Sequence, residues 1–97
     1  GDTKGIVVAG GNGQGSHLNQ LYNPWYVFVD RDHSVYVSDR SNQRVMKWEA
    51  GAKQGVVVAG GHGQGNNLSQ LHSPLGVVVD QQDTVYVTDR GNDRIMA

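Results

Sequence analysis

Cysteine is absent from this chain of 97 residues, which excludes disulfide bonds, thiol catalysis and thiolate metal sites. Because a cysteine-free protein is compatible with a reducing or an oxidising compartment, the localisation is left open. No apolar stretch approaches the roughly 20 residues of a membrane-spanning helix, and no signal peptide or lipidation motif is visible. The formal net charge is −1, and the basic surface typical of a nucleic-acid-binding protein is missing. The composition therefore predicts no membrane partner and no nucleic-acid partner.

A repeat with a period of 50 residues organises the chain. The stretch "VVAGGNGQGSHLNQL" at 7–21 returns as "VVAGGHGQGNNLSQL" at 57–71, and residues 1–47 share 25 identities in 47 positions with residues 51–97. A period of this length is typical of stacked or circular repeats that bury their apolar faces on one another. We therefore predict two units, 1–50 and 51–97, the second of which stops within the third strand of its blade.

Each repeat contains four short apolar runs, which we interpret as strands. In the first repeat they are "GIVVA" (5–9), "WYVFVD" (25–30), "VYVSD" (35–39) and "RVMKW" (44–48). Valine and tyrosine favour strands, and the polar links "RDHS" (31–34) and "QQDT" (81–84) predict hairpins between the second and third runs. Runs without polar alternation indicate burial on both faces. The pattern predicts an all-β chain of two four-stranded antiparallel β-propeller blades.

These strand and turn sequences resemble the NHL repeat over almost the whole chain. The resemblance rests on "PLGVVVD" (74–80) and "VYVTDRGNDRI" (85–95). The family's Asn-His-Leu-like core is matched by "NQRV" (42–45) and "NDRI" (92–95), although the His is absent from both, and Tyr26 stands where the pattern has glycine. The resemblance implies a β-propeller. Such propellers serve as RNA binders, protein-interaction platforms, sensor domains and, in one branch, a metal-dependent lyase.

Two blades cannot close a propeller, which needs about 4–8 of them. Six blades are usual in the family that the chain resembles, so we expect three chains to form a closed homotrimer. The expected contact is head to tail, with strand Ile6–Ala9 of one chain beside Arg94–Ala97 of the next. Rings of four chains with eight blades, or of two chains with four blades, are the alternatives.

The glycine-rich loops at 10–24 and 60–74 are interpreted as corners between strands. "GGNGQG" lacks the spacing of a dinucleotide-binding loop, and Gly15 and Gly65 occupy the position of an aspartate ligand in a calcium-binding nonapeptide. Asp39 and its counterpart Asp89 are expected to hold the next turn through hydrogen bonds. Asn42 and Asn92 sit in that turn, where their side chains can also bond backbone amides. Arg44 and Arg94 are the expected partners of the two aspartates.

No motif indicates catalysis, a cofactor or a metal site. His17, His33, His62 and His72 form no H-x-H or H-E-x-x-H pattern, and no G-x-S-x-G occurs. The lyase branch's ligand set has no match among the aligned positions. We therefore expect a protein without catalytic residues, cofactor or bound metal.

In propellers of the family that the chain resembles, the usual ligand face is the end of the blades where the inner strands start, which we call the top face, and the resemblance implies a ligand there. Loops there vary over a rigid scaffold. The candidate site residues are Trp25, Tyr26, Arg40 and Arg90. An aromatic pair can stack on a sugar ring, and a guanidinium suits carboxylate or phosphate groups. The alternatives are that Trp25 packs between blades and that the arginines are solvated surface charges.

The sequence thus predicts a non-catalytic protein-interaction scaffold of the NHL type, with a protein or a glycan as the ligand on the top face. A carbohydrate-binding propeller, similar in architecture to small two-blade lectins that trimerise, is one alternative. The other is a two-blade fragment, excised or engineered, that self-assembles and has no ligand of its own.

Overall fold

The computed structural model describes residues 6–61 and 70–97, which form two antiparallel sheets. Gly5, His62 and Gly65, with the rest of 1–5 and 62–69, lie outside the described residues. The strands are β1 Pro24–Val29, β2 Val35–Asp39, β3 Arg44–Trp48, β4 Val56–Gly60, β5 Pro74–Val79, β6 Val85–Asp89 and β7 Arg94–Met96. The all-β prediction is confirmed. Among residues 6–61 and 70–97 there is no helix with the length and hydrophobicity that a membrane crossing requires.

The two sheets have the meander order expected for blades. The first runs β1-β2-β3-β4 and the second β5-β6-β7, with each strand antiparallel to its neighbour. Short 3-10 turns at Arg40–Asn42 and Arg90–Asn92 join β2 to β3 and β6 to β7. The prediction of two four-stranded sheets is therefore correct for the first sheet only, since the second has three strands in the described part of the chain.

The predicted hairpins are confirmed, and an aspartate side chain holds each of them. Asp30 Oδ1 accepts hydrogen bonds from the backbone amides of Asp32 and Ser34, both at 2.9 Å. Asp80 does the same for Gln82 and Thr84, also at 2.9 Å. An aspartate that bonds the backbone two residues ahead is a usual means of fixing a tight turn.

Residues 6–9, which the sequence predicts as a strand, form no strand in the single chain. Their repeat counterparts, Val56–Ala59, belong to β4 and pair with β3, as in the pair Val45↔Ala59. Within the described residues no strand pairs with 6–9, and Ile6, Val7 and Val8 are exposed. The difference arises because a strand exists only where a neighbouring backbone supplies hydrogen bonds.

The two sheets pack face to face and share one core. Tyr36 and Val45 of the first sheet pack with Val77 and Val87 of the second, together with Leu71 from the loop before β5. The inner strands β1 and β5 are neighbours in space. This arrangement is consistent with two adjacent blades. The starts of β1 and β5 lie at the same end of the molecule, where Ser38 bonds both the Tyr26 amide and the Leu75 carbonyl.

Candidate functional site

A buried ionic corner ties the first glycine-rich loop to the first blade. Asp39 Oδ2 accepts hydrogen bonds from Arg44 Nε at 2.7 Å and Asn42 Nδ2 at 2.9 Å, while Oδ1 accepts one from the backbone amide of Tyr22 at 2.7 Å. The Arg44 guanidinium also donates to loop carbonyls of Ser16, His17 and Gln20. The predicted pairing of Arg44 with Asp39 and the bond from Asp39 to a backbone amide are confirmed. Asn42 holds the corner differently from the prediction, because its side chain donates to Asp39 and to the Gly15 carbonyl.

The same corner recurs in the second repeat. Asp89 accepts hydrogen bonds from the His72 amide at 2.7 Å, Asn92 Nδ2 at 3.0 Å and Arg94 Nε at 2.7 Å. Burial acts to raise the pKa of Asp89, but these hydrogen bonds and the Arg94 charge together outweigh it and hold the pKa below its usual value. Because the folded-state pKa is depressed, the stabilisation from Asp89 is present above the unfolded-state pKa and is lost as the pH falls through the lower folded value.

On the top face the structure brings two of the four candidate ligand residues together. The Arg40 guanidinium lies 5.3 Å from the centroid of the Trp25 ring, within the range of a cation–π contact. Trp25 is exposed and Arg40 is half-buried. The pair forms an aromatic and cationic surface that a planar or ring-shaped ligand can stack on.

The other two candidates do not join this pair. Tyr26 instead lines a surface cavity together with Gly76, Val78 and Thr88 of the neighbouring sheet. Arg90 is exposed at the equivalent turn of the second repeat, where Leu75 stands in place of Trp25. The aromatic and cationic pair is thus a property of the first repeat.

In residues 6–61 and 70–97, no group of three histidine, aspartate or glutamate side chains is placed to hold a metal ion. The expectation that the protein lacks a metal, a cofactor and catalytic residues stays a prediction.

One face of the first blade packs on the second blade, and the equivalent face of the second blade is exposed. Val45 is 0% exposed, whereas its counterpart Ile95 is 66% exposed. Tyr36 is buried, whereas Tyr86 is exposed. The second sheet therefore leaves open the face that the first sheet has covered.

The opposite face shows the reverse difference. Val77 in β5 is 1% exposed because the first sheet covers it, whereas its counterpart Val27 in β1 is 55% exposed. Pro74 is buried and Pro24 is exposed. The chain consequently presents two different open apolar surfaces, which are the face of the second sheet with Ile95 and the β1 part of the opposite face with Val27. Farther along the face with Val27, at β2 and β3, Val37 and Met46 are buried. Each open surface is the repeat equivalent of a surface that is already covered inside the chain.

Sequence reasoning missed the polar residues of the contact between the sheets, of which Ser38 is fully buried. The Ser38 hydroxyl is fully buried and donates a hydrogen bond to the Leu75 carbonyl at 2.7 Å, and it accepts one from the Tyr26 amide at 2.9 Å. The detectable signal was a hydroxyl residue in the same place of both repeats, Ser38 and Thr88, directly after the run Val-Tyr-Val.

Comparison with known proteins supports the family that the repeats resemble. Residues 71–95 match the sequence profile of the NHL repeat. The chain is similar to the E3 ubiquitin-protein ligase TRIM71 of Xenopus tropicalis, with 44% identity over 41 residues. That match covers 42% of this chain and 5% of the relative, so the chain spans a small part of the relative's length. NHL repeats generally serve as protein-interaction modules. The recognition made from the strand and turn sequences is confirmed, and residues 71–95 of this chain are an NHL repeat.

Proposed function

We propose that this chain is a non-catalytic scaffold whose copies assemble into a closed β-propeller that presents its top face to a protein partner. The observation that supports assembly is the exchange of burial between the repeats. Val45 and Val77 are covered inside the chain, while their counterparts Ile95 and Val27 are open. Exposed apolar patches of this kind mark interaction surfaces.

The two open faces fit each other because they repeat an existing contact. Inside the chain, the face of the first blade with Val45 packs on the face of the second blade with Val77. The open face with Ile95 is the counterpart of the first of these faces, and the open surface with Val27 is the counterpart of the second. A contact between two different faces of identical chains is heterologous and closes into a ring when the rotation per chain divides a full turn. Six blades are usual in NHL propellers, so three chains complete the ring.

The particle mass tests this proposal. Three chains of 10.5 kDa should give a particle of about 31.5 kDa, and the mass should be measured by light scattering coupled to size exclusion on the 97-residue chain. A mass near four or two chains would change the blade number to eight or four and would retain the ring. A monodisperse particle of one chain with native strand content by circular dichroism would contradict the assembly.

Carbohydrate binding is the second candidate function, and the contact between Trp25 and Arg40 favours it. An exposed aromatic ring stacks on the apolar face of a sugar, and the adjacent guanidinium can donate to its hydroxyl or carboxylate groups. The Arg40 guanidinium lies 5.3 Å from the Trp25 ring, so both interactions are available to one ligand.

Arg40→Ala should weaken the binding of any glycan detected on an array by about three- to tenfold, because it removes a charge-assisted hydrogen bond of modest net strength. Arg90→Ala is the matched control and should have a smaller effect, since Leu75 replaces the tryptophan there. Isothermal titration with the detected glycan measures both variants. Unchanged affinity in Arg40→Ala would remove it from the site, and a pull-down that captures a protein while the array stays silent would favour the scaffold.

A further inference from the structure

The second blade exposes a strand edge as well as an apolar face. In the first blade, β3 has β2 on one side and β4 on the other. In the second blade β7 pairs with β6, and the described residues supply no strand on its other side. Val78, Tyr86 and Ile95 are exposed on the open face of the same blade.

We propose that this edge and face form one docking surface for a second copy of the chain, which binds in the register of the contact inside the chain. The inference rests on the proposed ring and specifies its junction. In the first blade Val45 is paired with Ala59 and Met46 with Val57. The expected pairs between copies follow when each residue of β3 is replaced by its counterpart fifty positions later and each residue of β4 by its counterpart fifty positions earlier. They are Arg94 with Gly10, Ile95 with Ala9 and Met96 with Val7 of the second copy.

The backbone after residues 6–9 already has the conformation that this docking requires. Gly60 and Gly61, at the end of β4, have φ values of 72° and 83°. Their counterparts Gly10 and Gly11 have φ values of 67° and 80° in the single chain, although residues 6–9 form no strand. These left-handed values suit glycine. The segment therefore ends in the turn of a paired strand before any partner is present, which lowers the ordering cost of binding.

One hydroxyl group is placed to fix the position of the second copy. Ser38 donates to the Leu75 carbonyl between the two blades of one chain. By the same shift, the Thr88 hydroxyl should donate to the Trp25 carbonyl of the second copy. Thr88 is exposed in the single chain and carries the hydroxyl at the same side-chain position as serine.

A second polar contact should not carry over. Gln43 Oε1 accepts a hydrogen bond from the Ser73 amide at 2.6 Å between the two blades. Its counterpart is Asp93, whose side chain is one methylene group shorter and does not reach as far. The junction between copies should therefore depend on Thr88 for its polar selectivity.

Engineered disulfides test the register directly, since the chain has no cysteine of its own. The double variant Ala9→Cys and Ile95→Cys should form a bond between copies, because residues directly opposite on paired strands lie within disulfide distance. On a non-reducing denaturing gel the covalent products should be dimers and trimers and should end at the trimer.

Two further variants control for geometry. Val45→Cys with Ala59→Cys is the equivalent pair inside one chain, so its disulfide bond should form within a single chain and the gel should show a monomer. Val7→Cys with Ile95→Cys should remain largely reduced. Val57, the counterpart of Val7, pairs with Met46, and adjacent strand positions such as 45 and 46 point to opposite faces.

The assembly mass of each variant separates the two proposals. A trimer mass without the bond from Ala9→Cys and Ile95→Cys would overturn this docking register and leave the scaffold standing. If the double variant forms no bond and the unsubstituted chain also lacks the mass of a trimer, the docking register and the scaffold are both overturned. A bond that closes within a monomer would also contradict docking between copies.

The hydroxyl contact is measured by the dissociation of the ring on dilution. Thr88→Val keeps the shape and removes the donor, so it should raise the dissociation constant by about three- to tenfold for each junction. Thr88→Ser keeps the donor and should restore the affinity, a result that a purely packing role would not produce. Equal affinity in the valine and serine variants would exclude the bond to Trp25.

Discussion

Asp39→Ala is expected to lower the free energy of unfolding by about 3–5 kcal/mol, because it leaves a buried arginine charge without its partner. The Asp39 side chain is 0% exposed and that of Arg44 is 6% exposed, and their nitrogen and oxygen atoms are 2.7 Å apart. The substitution also removes the acceptor of the Tyr22 amide. A loss of this size is a large part of the 5–15 kcal/mol that stabilises a typical domain.

Asp89→Ala is the matched control for this prediction. It removes the same carboxylate from the second repeat, but the Arg94 side chain is 23% exposed, so water compensates part of the lost interaction. We expect a smaller loss of about 1–3 kcal/mol. Urea unfolding followed by circular dichroism should be run at a protein concentration at which the chain is unassembled, because assembly makes stability depend on concentration and docking of a second copy beside Arg94 would remove its exposure. Equal losses in the two variants would contradict the assigned role of burial.

Ile95→Asp should reduce the particle from about 31.5 kDa to the 10.5 kDa of one chain while the fold of the chain remains. Ile95 is 66% exposed in the single chain, so a carboxylate there costs little. In the ring it would occupy the environment of Val45, which is 0% exposed, and burial of an unpaired charge is strongly unfavourable. In the proposed ring of three chains the penalty would apply at every junction.

Val56→Asp separates a junction effect from a general effect of added charge. Val56 is also an exposed β-branched strand residue, but it lies on the outer strand β4, away from the proposed docking surface. This variant should keep the mass of three chains. Light scattering gives the mass, and circular dichroism verifies the strand content of both variants. A trimer that survives Ile95→Asp would place the contact between copies elsewhere.

Local features were predictable from the sequence because their partners are close along the chain. The hairpins are held by aspartates that bond amides two and four residues ahead. In the corner, Asp39 bonds Asn42 and Arg44, three and five residues ahead. Such contacts form within one turn, so the order of residue types specifies them. Valine and tyrosine runs indicated the strands for the same reason, since strand preference is carried by the residues themselves.

The candidate site was only partly predictable. The sequence placed Trp25 and Arg40 at the same end of the fold, but their ring contact bridges fifteen positions and depends on how β1 meets the turn after β2. Tyr26 was grouped with Trp25 because both depart from their counterparts in the second repeat, Leu75 and Gly76, yet it lines a cavity with the neighbouring sheet. Adjacent residues of a strand point to opposite faces, so proximity along the chain did not mean a shared site.

The sequence by itself determined the repeat, the strand runs and the ionic corners, while the tertiary structure decided which of these runs are paired and covered. The letters "VVAG" occur at 7–10 and at 57–60, but only the residues at 57–60 are part of a strand. Tyr36 and Tyr86 likewise differ in burial although they occupy the same place in the repeat. The physical reason is that a strand and a buried face both require a neighbour in space, and identical segments differ when only one of them has that neighbour.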